Sequence, residues 1–215
     1  MNLFELLQNN KGTVSSALGK ELAQKVLEGD RTILNDAIQY VSYDLENPKS
    51  KNIRAGAAKI LEKVAEKQPE LIADDLEKLK PALDVAEPQT RWMLMQVFGY
   101  CAKLNPKDAS SVIDYGKSYL GENAGVCLSG AVHLYLGRVG ATSEKTAAEV
   151  LPILDDALQK ASENEVDWIL EAFYSIIDKV GNEGKELIKR NAELYADAKK
   201  NATIKRVRKI LKKIS

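Results

Sequence analysis

The chain has little of what most metal and redox chemistry needs: one histidine and two cysteines in 215 residues. A structural zinc site takes four converging nitrogen or sulfur ligands, and His133, Cys101 and Cys127 are too few and too scattered to form one. No metal or other cofactor is expected. Both cysteines fall in apolar helical patterns and read as buried thiols in a reducing compartment. Apolar runs long enough to cross a bilayer, about 20 residues, are missing. The opening MNLFELLQNNKG has no basic region followed by a long apolar one, so a secretory leader is not expected and the cytoplasm is the expected location.

Catalytic constellations are equally scarce. His133 sits between Val132 and Leu134 in a helical pattern, a place suited to core or inter-repeat hydrogen bonding, and no Ser–His–Asp set assembles around it. Asp74–Asp75 and Asp155–Asp156 are adjacent residues, which point in different directions on a helix and define no carboxylate pair. The glycines between Gly121 and Gly140 fall in a helical stretch and do not resemble the glycine loop between a strand and a helix that cradles phosphate. Close helix packing is the expected reason for some of them. The chain is expected not to be an enzyme.

What is present is a repeat. The stretch from Ile53 to Leu83 matches the stretch from Thr90 to Leu120 at a shift of 37 residues, with Arg54 on Arg91, Leu61 on Phe98 and Pro69 on Pro106. Val64, Cys101, Val139 and Val180 continue the register, followed by the small residues Ala65, Ala102, Gly140 and Gly181, where close helix–helix approach is expected near the end of each first helix. Each unit reads as an apolar helix, a short break and a second helix. Periods of 20–50 residues of this kind build stacked helix pairs.

The expected elements follow from caps, breaks and stripes. Thr13 caps a helix carrying Val14, Leu18, Leu22 and Val26, with Leu3, Phe4, Leu6 and Leu7 covering the end of the stack. Gly29 stops that helix, and Asp30 caps the next, from Arg31 to Glu46. Further pairs are expected over 51–66 and 70–83, 89–104 and 107–120, 123–139 and 143–160, and 165–180 and 183–198. Thr142 or Ser143 caps the helix at 143. A last helix, Thr203 to Ile214, places Ile204, Val207, Ile210, Leu211 and Ile214 on one side, which is expected to dock on the Leu187–Tyr195 helix.

The fold class expected is all-α: a right-handed α–α superhelix of about five helix pairs plus a C-terminal capping helix. The whole span 1–215 reads as one solenoid domain, with 1–50 an atypical first repeat and 196–215 a basic terminal cap.

Charge is balanced overall but not locally. Residues 196–215 hold eight lysines and arginines against Asp197 alone, a surplus of seven, so the preceding residues carry a deficit of seven. The second helices of the pairs are rich in acids, among them Glu149 and Asp156. Asp74, Asp75, Asp114 and Asp155, with Tyr115 and Tyr119, form the candidate partner-binding surface for a protein or a basic peptide. Lys205, Arg206, Arg208, Lys209, Lys212 and Lys213 form a candidate anion-binding face, for weak contact with nucleic acid or an anionic membrane.

These repeats resemble the HEAT repeats and, more broadly, the armadillo-like superhelices. Their length of about 40 residues matches the steps here, and Arg54 and Arg91 resemble a recurring intrahelical position of that family. The resemblance implies a non-enzymatic scaffold or adaptor that binds protein. One branch of the family, the alkylpurine DNA glycosylases, supplies the alternative of a glycosylase or nucleic-acid-binding protein. Its pocket resembles two tryptophans with an aspartate and an arginine, and Trp92 and Trp168 lie in first helices here. One turn after Trp92 stands Gln96, which cannot stabilise a developing sugar cation, and the acidic body opposes a DNA backbone.

Overall fold

The computed structural model describes residues 2–10, 17–122 and 124–215, and all regular structure among them is helical. None of these helices is long and apolar enough to cross a membrane. The chain divides into two compact units, Met1–Val112 and Ile113–Ser215.

The first unit contains α1 (Leu3–Asn9), α2 (Ala17–Leu27), α3 (Arg31–Tyr40), α4 (Lys51–Lys67), α5 (Leu76–Leu79), α6 (Pro88–Cys101) and α7 (Pro106–Ser110). Packing runs α2 on α4 on α6, with α3 and α1 also against α4. Thr13 and Val14 lie outside the described residues. Asp30 caps α3, its carboxylate accepting from the amides of Thr32 (3.0 Å) and Ile33 (3.3 Å), and Gly29 precedes it with a φ of 114°. Leu3 and Leu7 of α1 are buried, and Phe4 meets Tyr40 and Tyr43 edge-on.

Arg54 is the polar centre of this unit. It is 1% exposed and reaches Glu87 through two bonds, Nε to Oε1 at 2.7 Å and Nη2 to Oε2 at 3.0 Å. Its Nη1 donates to the carbonyls of Tyr43, Asp44 and Asn47. That demand explains why α3 ends at Tyr40, short of the expected Glu46. The following carbonyls turn toward the guanidinium, and Asp44 takes a left-handed φ of 45° to allow it. Arg91, the matching residue of α6, donates to the Val85 carbonyl.

The segment expected as one helix over 70–83 is broken. It forms 3-10 turns at Pro69–Leu71, Ala73–Asp75 and Lys80–Leu83 around the single turn of α5. Pro81 removes the amide that a continuing helix needs, while Ile72, Leu76, Leu79 and Leu83 stay buried. Met93, Leu94, Met95, Val97, Phe98 and Cys101 of α6 are all fully buried, so this helix has apolar residues around most of its circumference.

The second unit contains α8 (Ile113–Gly121), α9 (Val126–Gly140), α10 (Glu144–Lys160), α11 (Val166–Ile176), α12 (Asn182–Glu193) and α13 (Asn201–Ile214). It is two rows of helices. One row is α9, α11 and α13, the other α8, α10 and α12, and the rows pack through α9 on α8 and α10, α10 on α11, and α12 on α13. Ser143 caps α10 in a reciprocal box with Thr146. α9 and α11 approach closely because α9 presents glycines to its neighbour. A Cβ on Gly137 would lie 2.6 Å from the Ala172 Cα, and one on Gly130 would lie 2.8 Å from the Trp168 ring.

Two expectations about small side chains fail here. Gly181 makes no close approach, because α11 ends at Ile176 and Gly181 lies beyond a 3-10 turn at the start of α12. Cys127 is exposed, since it sits in the first turn of α9 beside the half-exposed Val126; only Cys101 is buried.

Helix α13 occupies the place of a further first helix. It packs on α11 as well as α12 and buries Thr203, Val207 and Ile210, with Ile204, Leu211 and Ile214 half-buried at the margin. Thr203 Oγ1 donates to Asp167 at 2.8 Å, Arg206 pairs with Glu171, and Lys213 pairs with Asp178 at 2.7 Å while lying over the Tyr174 ring.

Candidate functional site

Among the described residues, two grooves, of about 840 and 770 Å³, are large enough to hold part of a partner. The one in the first unit, about 840 Å³, is lined by Arg54 and Glu87. The charged ends of these two residues already satisfy one another and three backbone carbonyls, so this pair is committed to holding the fold.

The groove of the second unit, about 770 Å³, is different. Its walls are α8 and α10. On α8, Asp114, Lys117 and Leu120 recur every three residues and so share a side. On α10, Glu149, Ile153, Asp156 and Lys160 recur at helical spacing in the same way. His133 of α9 and Glu165, just before α11, complete the lining. Four carboxylates therefore meet two lysines, and Lys160 is paired with Asp156 at 2.8 Å. Partial burial works against charge on Glu165, but bonds from the Ser162 and Ser129 hydroxyls and the Ser162 amide hold its carboxyl below the ordinary value.

His133 is buried, and both of its ring nitrogens lack a hydrogen-bond partner. Hydrogen bonding across repeats, expected from its position, is not made. Burial pushes its pKa down from 6.5 to about 4, against a weaker upward pull from Glu165, so the imidazole is neutral at pH 7. The folded state then binds fewer protons than the unfolded chain between these two values. Stability from this group is complete above pH 6.5 and is lost as the pH falls toward 4. A loss of about 2 kcal/mol is expected between pH 6.5 and pH 5. Urea unfolding of the wild type and of His133→Phe across that range measures it; equal pH slopes in the two proteins would exclude the assignment.

The residues singled out from the sequence are not gathered at one place. Asp74 is exposed and Asp75 pairs with Lys78 at 2.6 Å, both in the first unit. Asp114 lines the groove of the second unit. Tyr115 is half-buried and Tyr119 is buried, their ring centroids 6.2 Å apart, so Tyr119 supports α8 from below. Asp155 accepts from Asn191 of α12 at 2.6 Å, which turns it away from α8.

Among the basic candidates, Arg206 and Lys213 are held by carboxylates, whereas Lys205, Arg208, Lys209 and Lys212 are exposed. The tryptophans are structural neighbours of other groups. The Lys59 ammonium stands 5.1 Å from the Trp92 ring, and Trp168 lies against Gly130. Glu165, Lys117, Lys160 and the placement of His133 beneath the groove were missed from sequence. The helical spacing along α8 and α10 carries a signal for the lysines; Glu165 lies in a loop and carries none.

No protein-family model matches the chain, and no curated protein matches it. A solved structure does: the crystal structure of an engineered protein, 12% identical, covers 100% of this chain and 97% of its own with a TM-score of 0.66. At that identity the likeness shows the fold alone.

Proposed function

We propose that this chain is a non-enzymatic, HEAT-like protein-binding module that holds a basic segment of a partner in the groove between α8 and α10. The excess of carboxylates in that groove carries the reading: among the described residues, Asp114, Glu149 and Glu165 have no lysine or arginine paired with them, and of the four only Asp156 does. A lysine or arginine entering there gains attraction from several directions, between helix walls that limit screening by water. The apolar parts of Leu120, Pro152 and Ile153 suit the methylene stems of the same side chains.

Titration of the protein with a fluorescent oligo-arginine peptide tests this reading. The double substitution Asp114→Lys and Glu149→Lys is expected to weaken binding about tenfold or more, at two to three charge contacts of up to about 1 kcal/mol each. Far-UV circular dichroism should stay unchanged, since Asp114 and Glu149 are exposed. Equal affinity of a folded double variant would remove the groove as the binding site.

A further inference from the structure

We infer that the basic segment held by this groove is helix α13 of a second copy of the chain. The inference rests on the groove reading above and adds the occupant.

Lys205, Arg208, Lys209 and Lys212 lie at positions i, i+3, i+4 and i+7, so they form one line along the helix. All four are exposed, and none pairs with a carboxylate among the described residues. The basic side chains beside them are held within the chain: Arg206 by Glu171, Lys213 by Asp178, and Lys200 by the Glu163 carbonyl and Asn164. Within α13 the unpaired positive charge is thereby gathered into one strip.

The groove offers the complement at the same spacing. Glu149 and Asp156 on α10 are seven residues apart, as are Lys205 and Lys212 on α13. At 1.5 Å per residue each pair spans about 10 Å along its helix. A strip of α13 laid along α10 therefore sets one cation against the unpaired Glu149 and another beside Asp156, which it shares with Lys160.

The strip does not serve its own groove. α13 stands in the row with α9 and α11, while the groove is walled by α8 and α10. Membrane insertion is disfavoured for the same reason: Val207 and Ile210, the apolar side that a bilayer would need, are buried against the protein. Two copies also approach without net repulsion, because the surplus of seven positive charges in 196–215 is cancelled by the rest of the chain. The contact joins two different surfaces, so it is heterologous and lets each copy bind one neighbour at each end.

Sedimentation velocity on the full chain tests the inference. Association is expected at about 20 mM salt and its loss at about 500 mM, where the screening length is only a few ångströms. One variant reverses the strip (Lys205→Glu, Arg208→Glu, Lys209→Glu, Lys212→Glu) and another reverses the groove (Asp114→Lys, Glu149→Lys). Each alone should lose association at least tenfold. Mixed, they should associate again, because the intact strip of one meets the intact groove of the other and the two reversed surfaces are likewise opposite in sign. If a reversed chain fails to fold, the neutral substitutions Lys→Gln, Arg→Gln, Asp→Asn and Glu→Gln at the same positions replace it.

A wild type that stays monomeric at low salt overturns the inference, as does a strip variant that still associates. In that event, oligo-arginine binding that depends on Asp114 and Glu149 leaves the groove reading standing; its absence removes both. Binding of single-stranded DNA or phosphatidylserine vesicles to the monomeric wild type, lost in the strip variant, would reassign α13 to that polyanion and also overturn it.

Discussion

Replacing Arg54 with alanine is expected to destabilise the first unit by about 3–5 kcal/mol, the cost of breaking a buried ion pair by removing one partner. Three things are lost together. Glu87 keeps its charge at 10% side-chain exposure with no cation beside it. The carbonyls of Tyr43, Asp44 and Asn47 lose a shared donor. Asp44 also loses the contact that holds its left-handed backbone in place. Lysine should not rescue the unit, because a single ammonium cannot meet both Glu87 oxygens and the carbonyl cluster as a planar fork does. Each unit has one tryptophan, Trp92 in the first and Trp168 in the second, so Trp→Phe backgrounds report the units separately. Urea unfolding followed by Trp92 should shift and that followed by Trp168 should shift less. A change below about 1 kcal/mol at Trp92 would mean that the clamp is not what holds these loops.

The second large effect is expected from Gly137→Val, which should destabilise the second unit by about 3 kcal/mol or more, at or above the usual cost of overpacking. The first added carbon already stands 2.6 Å from the Ala172 Cα, and that atom belongs to the backbone of α11. A side chain could rotate away; a helix backbone can yield only if α9 and α11 separate along their contact. Gly121→Ala is the control, since nothing lies within 4 Å of the added carbon at the end of α8. The variant at 137 should lower the unfolding midpoint seen by Trp168 while the one at 121 leaves it in place. Equal midpoints would show that the two helices are loosely packed in solution.

The all-helical class and most helices were legible because they rest on local signals. Asp30, Asn105 and Ser143 each cap a helix that follows, and Pro69 and Pro106 stand at first-turn positions where a missing amide costs little. The early end of α3 was not legible, because its cause is Arg54, ten or more residues away in sequence. Nor was the break between α7 and α8 at Ser111–Val112, within a stretch expected as one helix, and the boundary between the compact units falls there. The acidic second helices were visible as composition. Which acids share a wall depended on packing: Asp114 and Asp156 line the groove, whereas the neighbouring Asp155 turns to Asn191. One residue of helical phase separates those outcomes.

The two cysteines carry a kinetic consequence. Cys101 is buried with its Sγ 3.6 Å from the Pro69 carbonyl, and burial, with Glu70 nearby, pushes its thiol up to about 12. The thiolate is the reactive form, so a disulfide reagent finds almost none in the folded protein. Cys127, being exposed, reacts at once and is removed by Cys127→Ser. The remaining thiol then reacts only when the α6 end and the Pro69 turn part from one another. With reagent in enough excess to trap every opening, its rate of modification counts those openings of the first unit without denaturant.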